Sequence, residues 1–233
     1  MGGCMGKDVL TLEDGIVFDF DYHFPKHLKT VALSMSAGVE STLLCYLLVE
    51  RYGADNVYVF SGSYEGRRWW EAANSQDISS ALGVTKFYAI PQTGEFMSSQ
   101  DNWKMYVHTK QKYKYDGWFN GTNAKLFTPS NVTSPHVVND LYKQNHFLPF
   151  VYLKKYHTVG MYYKLGIEDL LYRSYSCSAQ SQEHCGGCVC CLERVRGFAT
   201  LGKKDQSTYS VEWDQIVDQC YHSDRHLVSS KEA

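Results

Sequence analysis

Five cysteines crowd into a fifteen-residue stretch near the C-terminal end of the sequence. They are Cys177, Cys185, Cys188, Cys190 and Cys191, and the last four contain two overlapping C-x2-C steps. Tetrahedral zinc needs four ligands around one point, and C-x2-C turns with glycines between them bring two thiolates to one ion. The spacing therefore predicts a structural zinc site formed by Cys177, Cys185, Cys188 and Cys191. We interpret Cys190 as a bystander.

An iron–sulfur cluster is the alternative for these cysteines, because cysteines at x2 spacing resemble part of a ferredoxin sequence. The following x3-Cys-Pro of that pattern is missing, so zinc is favoured. The chain has eight cysteines and no recognisable secretory signal, which favours metal or thiol chemistry over a disulfide framework. His184 adjoins a predicted ligand, and we expect a solvated side chain there.

A second segment with chemical potential follows the first buried strand that the sequence predicts. Residues Ser36 to Thr42 join the apolar run 30–35 to a helical pattern, and small residues dominate the junction. Small residues let main-chain N–H groups approach an anion, and the helix dipole favours negative charge at this end. The loop therefore predicts a phosphate site, with a plain capped turn as the alternative. It lacks the lysine of GxxxxGK[ST] and the pattern GxGxxG, which excludes those two nucleotide sites.

The same loop also fits a nucleophile elbow, in which Ser36 would be the nucleophile of a hydrolase. Asp169 and His184 follow in the chain order that such a triad would need. This alternative leaves the cysteine cluster unexplained, so phosphate binding is preferred.

Length and composition limit the classes of protein that the chain can belong to. The chain has 233 residues, 44% of them hydrophobic, and a net charge of −2. These values predict a folded globular protein, neither a disordered chain nor a strongly basic protein that coats nucleic acid. We interpret the lysine- and tyrosine-rich stretch 103–115 as a solvated helix face, so no nucleic-acid partner is expected. No apolar run is long enough for a membrane span, and a cytoplasmic location without a membrane partner is expected.

The elements that must position these residues alternate between strand and helix. The predicted strands cover 30–35, 57–60, 86–90 and a segment from 117 onward, and the predicted helices cover 42–51, 69–82, 101–113, 137–145 and 152–165. This alternation predicts an α/β fold, a parallel twisted sheet of about five strands with helices on both faces.

The N-terminal part is expected to be an extension outside that sheet. Two extended runs, 9–13 and 16–22, flank Asp14-Gly15, a dipeptide that favours a tight hairpin turn. We therefore predict a hairpin extension at 1–29 and one further domain at 30–233, with the zinc knuckle at 177–191.

Taken together, the order of these motifs resembles that of the PP-loop ATP pyrophosphatases, and among them the QueC-like enzymes that make 7-cyano-7-deazaguanine. The resemblance covers residues 30 to 202, about three-quarters of the chain. Its matching positions are Ser36–Ser41 for the SGGxDS loop, Tyr64–Arg67 with Glu71 for the YGQR segment, Gly121, Leu148-Pro149 with Lys155, and the cysteine segment through Arg194.

The sequence also departs from the family pattern at several places. Ala37 replaces a glycine and Glu40 replaces an aspartate of the SGGxDS loop. The family's aspartate beyond Gly121 is absent, with Lys125-Leu126 in its place, and Asn102 is the nearest counterpart to an Arg-Asn pair. These changes bear on nucleotide geometry and on the second half of the family reaction.

The resemblance implies that the carboxylate of 7-carboxy-7-deazaguanine is activated with ATP as an acyl adenylate, with release of pyrophosphate and attack by ammonia. In the family a second ATP converts the amide to the nitrile. ATP, Mg²⁺ and Zn²⁺ are the implied cofactors, and Lys155 and Arg67 are the implied catalytic residues. The implied nucleotide-binding residues are Ser34, Ser36, Ala37, Gly38, Glu40, Ser41, Thr42, Tyr64 and Gly121.

Several variants of this function stay open at the sequence level. In one variant the reaction stops at the amide, and in another it uses a protein N-terminal amine, as in the QueC-like enzymes of CBASS antiphage systems that it resembles. A non-catalytic nucleotide-binding homologue is a further alternative. Thiolation chemistry would instead require a reactive cysteine, with Cys45 or Cys190 as candidates. A homodimer is also left open.

Overall fold

A five-stranded parallel sheet forms the centre of the molecule. The computed structural model describes residues 8–64, 69–92, 100–124, 134–179 and 183–229. The sheet strands are β3 (Val31–Ser34), β4 (Val57–Tyr64), β5 (Lys86–Gln92), β6 (Gly117–Asn120) and β7 (His146–Phe147). Their order is β5-β4-β3-β6-β7, and all neighbours pair in parallel. The predicted fold class is confirmed.

Strand β3 lies in the middle because its side chains can be buried on both faces of the sheet. Val31 pairs with Val57 on one side and with Gly117 on the other. Val31, Ala32 and Leu33 are all fully buried. A short apolar run of this kind is typical of a parallel strand covered by helices above and below.

Helices cover both faces of this sheet. The described helices are α1 (Phe20–His23), α2 (Val39–Tyr52), α3 (Trp69–Ala81), α4 (Gln100–Tyr113), α5 (Pro135–Lys143), α6 (Lys155–Leu165), α7 (Glu168–Arg173), α8 (Val189–Thr200) and α9 (Trp213–Ser229). The main core lies between one face and helices that include α2 and α6. On the other face, Met105 of α4 packs with Phe60 and Trp118. Among the described residues, none of these helices combines the length and apolar character needed to cross a bilayer.

The predicted N-terminal hairpin forms, but the two-residue turn was wrong. Strands β1 (Val9–Thr11) and β2 (Val17–Asp19) are antiparallel, and the connection between them includes a 3-10 turn at Glu13–Gly15. The Leu12 N–H donates to the Ile16 carbonyl at 2.7 Å and closes this wider loop. A wider loop lets Leu12 enter the core, where it is 3% exposed.

The second run of the hairpin also ends earlier than predicted. The Asp19 carboxylate accepts a hydrogen bond from the Tyr22 N–H at 3.0 Å and starts helix α1. An N-cap of this kind overrides the extended pattern of the residues that follow it. Phe20 and Phe24 then point into the main core, so this N-terminal segment packs directly against the sheet domain.

The helices differ from the prediction mainly at their starts. Helix α2 begins at Val39, three residues before the predicted start, because Gly38 takes the N-cap position. Helix α6 begins at Lys155 rather than at 152 and ends at Leu165, before Gly166, whose φ of +68° suits a glycine C-cap. Helices α7, α8 and α9 were not predicted.

The strand order creates a crevice at the carboxyl ends of β3 and β6. The chain runs from β3 outward to β4 and β5, then returns to place β6 on the other side of β3. Ser34 and Asn120 are paired at the ends of these two strands. Such a switch point is where open parallel sheets bind ligands, so the loops after β3 and β6 are the first candidates for a site.

Arg194 of α8 is fully buried and holds the C-terminal part of the chain together. Its Nε donates to the Asp205 carboxylate at 2.5 Å, and Nη1 donates to the Ser174 hydroxyl at 2.7 Å. Nη2 reaches the carbonyl of Leu171 and the hydroxyl of Ser207. Burial alone would raise the pKa of Asp205, but the charge and hydrogen bonds of Arg194 outweigh it and lower that pKa.

Replacing Arg194 should therefore test the cost of an unpaired buried charge. We expect Arg194→Met to lower the free energy of unfolding by about 3 to 5 kcal/mol, because Asp205 would stay buried without its partner. Urea unfolding followed by circular dichroism measures this change.

The exposed pair Lys143–Asp140, with side chains 76% and 65% exposed, provides the matched control. Lys143→Met should change stability by less than about 1 kcal/mol. The double variant Arg194→Met with Asp205→Leu should recover most of the loss. Equal losses for the single and double variants would contradict the charge argument.

Candidate functional site

The loop after β3 adopts a strained backbone at the position where the family pattern has glycine. Ala37 has a φ of +57° and is 1% exposed. The left-handed region costs a residue with a Cβ about 1 to 2 kcal/mol. The Tyr175 N–H donates to the Ala37 carbonyl at 2.7 Å and helps hold this conformation. The Ala37 Cβ therefore stands in a turn whose backbone geometry favours glycine.

Helix α2 begins directly after this turn without a side-chain cap. Gly38 is the N-cap residue and offers no side-chain acceptor to the first N–H groups of the helix. The Ser36 N–H donates to the Ser41 hydroxyl at 3.2 Å, and that hydroxyl donates to the Gly38 carbonyl at 3.3 Å. An uncapped helix start at a sheet switch point offers N–H groups to an anion.

Thr42 adds a buried hydroxyl to the first turn of α2. Its side chain is fully buried, and its Oγ1 has no hydrogen-bond partner among the described residues. A buried hydroxyl without a partner carries a desolvation cost.

A buried ion pair joins the first turns of two helices at this place. Lys155, the first residue of α6, pairs through Nζ with the Glu40 Oε1 in the first turn of α2. The two side chains are only 8% and 13% exposed. Asn123 Nδ2 donates to the same Glu40 oxygen at 2.6 Å. The sequence motifs included Lys155 and Glu40, but nothing in them indicated Asn123.

Two glycines lie close to this ion pair. A Cβ on Gly121, just after β6, would stand 3.1 Å from the Glu40 Cβ and from the Ser41 nitrogen. A Cβ on Gly197 of α8 would stand 2.8 Å from the Lys155 Cγ. The backbones approach this closely because both positions lack a side chain. Gly121 was predicted, whereas Gly197 was missed because a mid-helix glycine carries no motif.

Tyr162 is a further contact that sequence reasoning missed. Its hydroxyl donates to the Val39 carbonyl at 2.6 Å and is fully buried. Burial raises the pKa of Tyr162 well above its usual value, so the hydroxyl stays a donor at neutral pH. Tyr162 thereby fixes the first turn of α2 against α6.

The remaining predicted residues lie at the edges of this arrangement or outside it. Ser34 ends β3 beside Phe60 and Asn120, and Tyr64 ends β4 opposite Gln92. Arg67 and Lys125-Leu126 lie outside the described residues. Glu71 is in the first turn of α3.

The hydrolase alternative has no support in the described hydrogen bonds. The Ser36 hydroxyl contacts the Ser41 hydroxyl at 3.3 Å, and His184 Nε2 accepts from the Ser176 N–H at 3.3 Å. None of the described hydrogen bonds joins Ser36 to His184, or His184 to Asp169. The three residues therefore do not form a triad.

The four predicted cysteine ligands converge. The Sγ atoms of Cys177, Cys185, Cys188 and Cys191 all lie within 4.8 Å of one another. Around one zinc ion with Zn–S distances of about 2.3 Å, tetrahedral sulfurs stand roughly 3.8 Å apart. The donor set therefore fits a single metal ion, and Cys190 is not among the converging cysteines.

Main-chain N–H groups support several of these sulfurs. The Cys185 N–H donates to the Cys177 sulfur at 3.4 Å, and the Cys188 N–H donates to the Cys185 sulfur at 3.3 Å. Cys188 also caps helix α8, because its sulfur accepts from the Cys191 N–H. Hydrogen bonds from the thiols of Cys190 and Cys191 lower the pKa of Cys188, whereas the hydrogen bond with Cys188 raises the pKa of Cys191.

His184 is buried, contrary to the solvated side chain that we expected. It is 4% exposed and packs between the rings of Tyr175 and Tyr209 at centroid distances of 4.6 and 5.0 Å. Burial, followed by the nearby charge of Arg194, lowers the pKa of His184 to about 4. The neutral ring thus has a packing role beside the cysteines.

Cys45 does not fit the thiolation alternative. It is fully buried, and burial raises the pKa of its thiol to about 12. A nucleophilic cysteine needs the opposite shift.

Comparison with known proteins identifies one segment of the chain. Residues 136–202 match the family model described as "Queuosine biosynthesis protein QueC". The matched segment contains Lys155 and the four converging cysteines, whereas the loop at Ser36–Thr42 lies outside it. The match confirms the resemblance to QueC-like proteins for this segment.

Two curated relatives are both described as 7-cyano-7-deazaguanine synthases. The 7-cyano-7-deazaguanine synthase of Caldicellulosiruptor saccharolyticus is 38% identical over 69 residues, which are 29% of this chain and 30% of the relative. That of Caldicellulosiruptor bescii is 35% identical over 66 residues, 28% of this chain and 29% of the relative. The aligned part thus spans less than a third of either relative.

Solved structures resemble the chain more distantly. The NMN synthetase of Francisella tularensis has a TM-score of 0.46 at 14% identity and covers 87% of this chain and 90% of its own. The U34-tRNA thiolase NcsA of Methanococcus maripaludis, solved with its 4Fe-4S cluster, has a TM-score of 0.45 at 15% identity and covers 64% and 61%.

The strain at Ala37 predicts an unusual response to glycine. Ala37→Gly loses a buried methyl, worth about 0.8 kcal/mol, but relieves a left-handed conformation that costs about 1 to 2 kcal/mol. We therefore expect the free energy of unfolding to stay the same or to rise by up to about 1 kcal/mol. Ala72, also buried but inside helix α3, is the matched control, and Ala72→Gly should cost about 1.5 to 2 kcal/mol. Similar losses in urea unfolding for both variants would refute strain at Ala37.

The cysteine geometry predicts about one metal ion per chain. We expect elemental analysis to find zinc in the purified protein, and Cys185→Ser to lose most of it because one of four ligands is removed. Cys190→Ser should retain the metal and is the matched control.

Chelation should lower the melting temperature, because the ion holds residues from distant parts of the segment. Visible absorption typical of an iron–sulfur cluster would favour that alternative. Metal loss from Cys190→Ser equal to that from Cys185→Ser would contradict the ligand assignment.

Proposed function

We propose that this chain is a QueC-like, ATP-dependent carbon–nitrogen ligase. Its substrate would be 7-carboxy-7-deazaguanine, and its product the amide or, after a second ATP, the nitrile. The observation that carries the proposal is the buried Lys155 beside the uncapped start of α2, at the switch point of a parallel sheet. The similarity of residues 136–202 to QueC supports the choice of substrate.

The proposed chemistry has two steps for each amide formed. A carboxylate oxygen of the substrate attacks the α-phosphorus of ATP, the bond to the β-phosphate breaks, and pyrophosphate leaves. Ammonia nitrogen then attacks the acyl carbon of the adenylate, AMP leaves, and the nitrogen loses one proton to solvent. Neither step requires a protein nucleophile, so positioning and charge stabilisation account for the rate.

The residues of the loop have distinct proposed roles. The first N–H groups of α2, after Gly38, would donate to the leaving pyrophosphate, and the Lys155 ammonium would offset its charge. Ser36, Ser41 and Thr42 would offer hydroxyl groups to the phosphates. Tyr64, Arg67 and Gly121 are proposed from the resemblance alone, as are the roles of Ser34 and of Ala37 in nucleotide binding.

The bound metals are proposed separately. Mg²⁺ accompanying ATP would neutralise phosphate charge, and Glu40 is the carboxylate that the first turn of α2 offers to it. Zn²⁺ would be held by Cys177, Cys185, Cys188 and Cys191 in a structural role. A four-iron cluster needs room for iron and sulfide between its thiolates, and sulfurs within 4.8 Å of one another suit a single ion better.

A non-catalytic nucleotide-binding protein is the second candidate function. It is favoured by Ala37, whose Cβ stands in a loop where the family pattern has glycine. A third variant keeps the adenylation step and replaces ammonia with a protein N-terminal amine. In each case we propose a cytoplasmic protein without a nucleic-acid partner.

Product analysis distinguishes these candidates. Incubation with ATP, Mg²⁺, 7-carboxy-7-deazaguanine and ammonia should release AMP and pyrophosphate and give the amide or nitrile by mass spectrometry. Lys155→Ala should lower the rate by about 10² to 10³, because a charge-stabilising group is lost. Lys154→Ala, which removes the exposed neighbouring lysine, should leave the rate within about twofold.

Other results of these experiments would favour the protein-acceptor variant or the non-catalytic protein. Product with a peptide amine but not with ammonia would favour the protein acceptor. ATP binding by calorimetry without AMP release would favour the non-catalytic protein, more so if Ala37→Gly with Glu40→Asp restored turnover. Absence of both binding and AMP release would refute the proposal.

A further inference from the structure

Asn123 contacts the ion pair at the start of α2 and has no role in the sequence motifs described above. Its Nδ2 lies 2.6 Å from the Glu40 Oε1, the same oxygen that pairs with the Lys155 Nζ. A carboxylate oxygen accepts hydrogen bonds and cannot donate, so the amide nitrogen rather than the amide oxygen must face it. Two donors therefore hold one oxygen of Glu40.

The backbone on each side of Asn123 is fixed by hydrogen bonds. On one side, the Asn120 Oδ1 accepts from the Thr122 N–H at 2.9 Å and from its hydroxyl at 2.7 Å. On the other side, the Ala124 N–H donates to the Leu153 carbonyl at 2.9 Å. Leu153 lies two residues before Lys155, so the loop after β6 is tied to the start of the helix that carries the lysine.

The hydrogen bond from Asn123 acts on a charged pair that lies at the N-terminal ends of two helices. Lys155 stands at the positive end of α6, where the helix dipole disfavours a cation. Glu40 stands at the positive end of α2, where its carboxylate is favoured. A carboxylate that is held in one orientation can keep the ammonium at this unfavourable place, whereas a rotating one would release it.

We propose that Asn123 is a positioning residue that aims the Lys155 ammonium by fixing the Glu40 carboxylate. The inference deepens the proposed function and rests on it only for the effect on turnover. Its structural part, the immobilisation of Lys155, is independent of any substrate.

Two substitutions separate hydrogen bonding from space filling. Asn123→Gln keeps an amide donor, whereas Asn123→Leu keeps the approximate volume and removes the donor. We expect Asn123→Leu to lower kcat about tenfold with the KM for ATP within about twofold, and Asn123→Gln to retain at least about a third of kcat, as for loss of a hydrogen bond to a charged group.

Modification of Lys155 by an amine-reactive acetylating reagent gives a readout without turnover. Peptide mass spectrometry of the full chain, without ATP, should show Lys155 reacting at least about threefold faster in Asn123→Leu than in the unchanged protein. Lys154 on the same peptide, an exposed lysine, serves as the internal reference. Asn123→Gln should react at nearly the original rate.

The matched control is Asn56→Leu, just beyond the C-terminal end of α2. Asn56 Nδ2 donates to the Tyr52 carbonyl at 2.8 Å, at the end of α2 opposite to the turn that carries Glu40. This variant should change neither kcat nor the Lys155 modification rate.

Unchanged Lys155 modification in Asn123→Leu would overturn the inference, whatever the protein catalyses. If no variant shows turnover but Lys155 modification follows the expected order, the proposed function fails and the positioning contact stands. If Asn123→Leu and Asn123→Gln lower kcat equally and leave modification unchanged, Asn123 has a space-filling role only.

Discussion

The buried pair of Lys155 and Glu40 is the contact on which the arrangement at the sheet crevice depends. It joins the first turns of α6 and α2, two helices from separate parts of the chain. Removing two charges from water is costly, and their attraction repays that cost only with close geometry and further hydrogen bonds. Asn123 supplies one such bond, and glycines at 121 and 197 let the surrounding backbone come close enough.

The cysteine segment is linked by hydrogen bonds to the loop before α2. Tyr175, two residues before Cys177, donates its N–H to the carbonyl of the strained Ala37. Helix α8 starts at the Cys188 cap and carries Arg194, which anchors Ser174. A metal that orders the cysteines would therefore also support the loop before α2, although it is not itself part of the proposed chemistry.

The left-handed Ala37 shows how this loop differs from the glycine-containing pattern that it resembles. Surrounding contacts offset the conformational cost of Ala37, among them the Tyr175 hydrogen bond and the complete burial of the methyl group. Strained residues that persist in a fold are often found where a loop must present its backbone to a ligand.

Much of this protein was readable from local patterns in the chain. Period and composition identified the buried strand at 31–34, the helix after it and the five-stranded α/β class, because a strand covered on both faces requires a continuous apolar run. The two C-x2-C steps identified three of the four cysteines that converge, because this spacing brings two thiolates to one ion, and Cys177 was added from its place eight residues before them. The predicted two-residue turn and the predicted length of the second strand were wrong. The Asp19 cap and the loop closed by Leu12 depend on side-chain and core contacts, which the alternation of apolar residues in the sequence does not record.

Residues close together in the chain were enough to predict the alternation of strands and helices from β3 to α6, β7 apart, and the set of four cysteines that converge, whereas anion binding by the loop before α2 stays a prediction. The three-dimensional structure was needed to show that Asn123 contacts Glu40, that Gly197 lies against Lys155, that His184 is buried between two tyrosine rings, and that Arg194 is wholly enclosed. These contacts join residues many positions apart, and their energies come from burial and close approach, which no local pattern records.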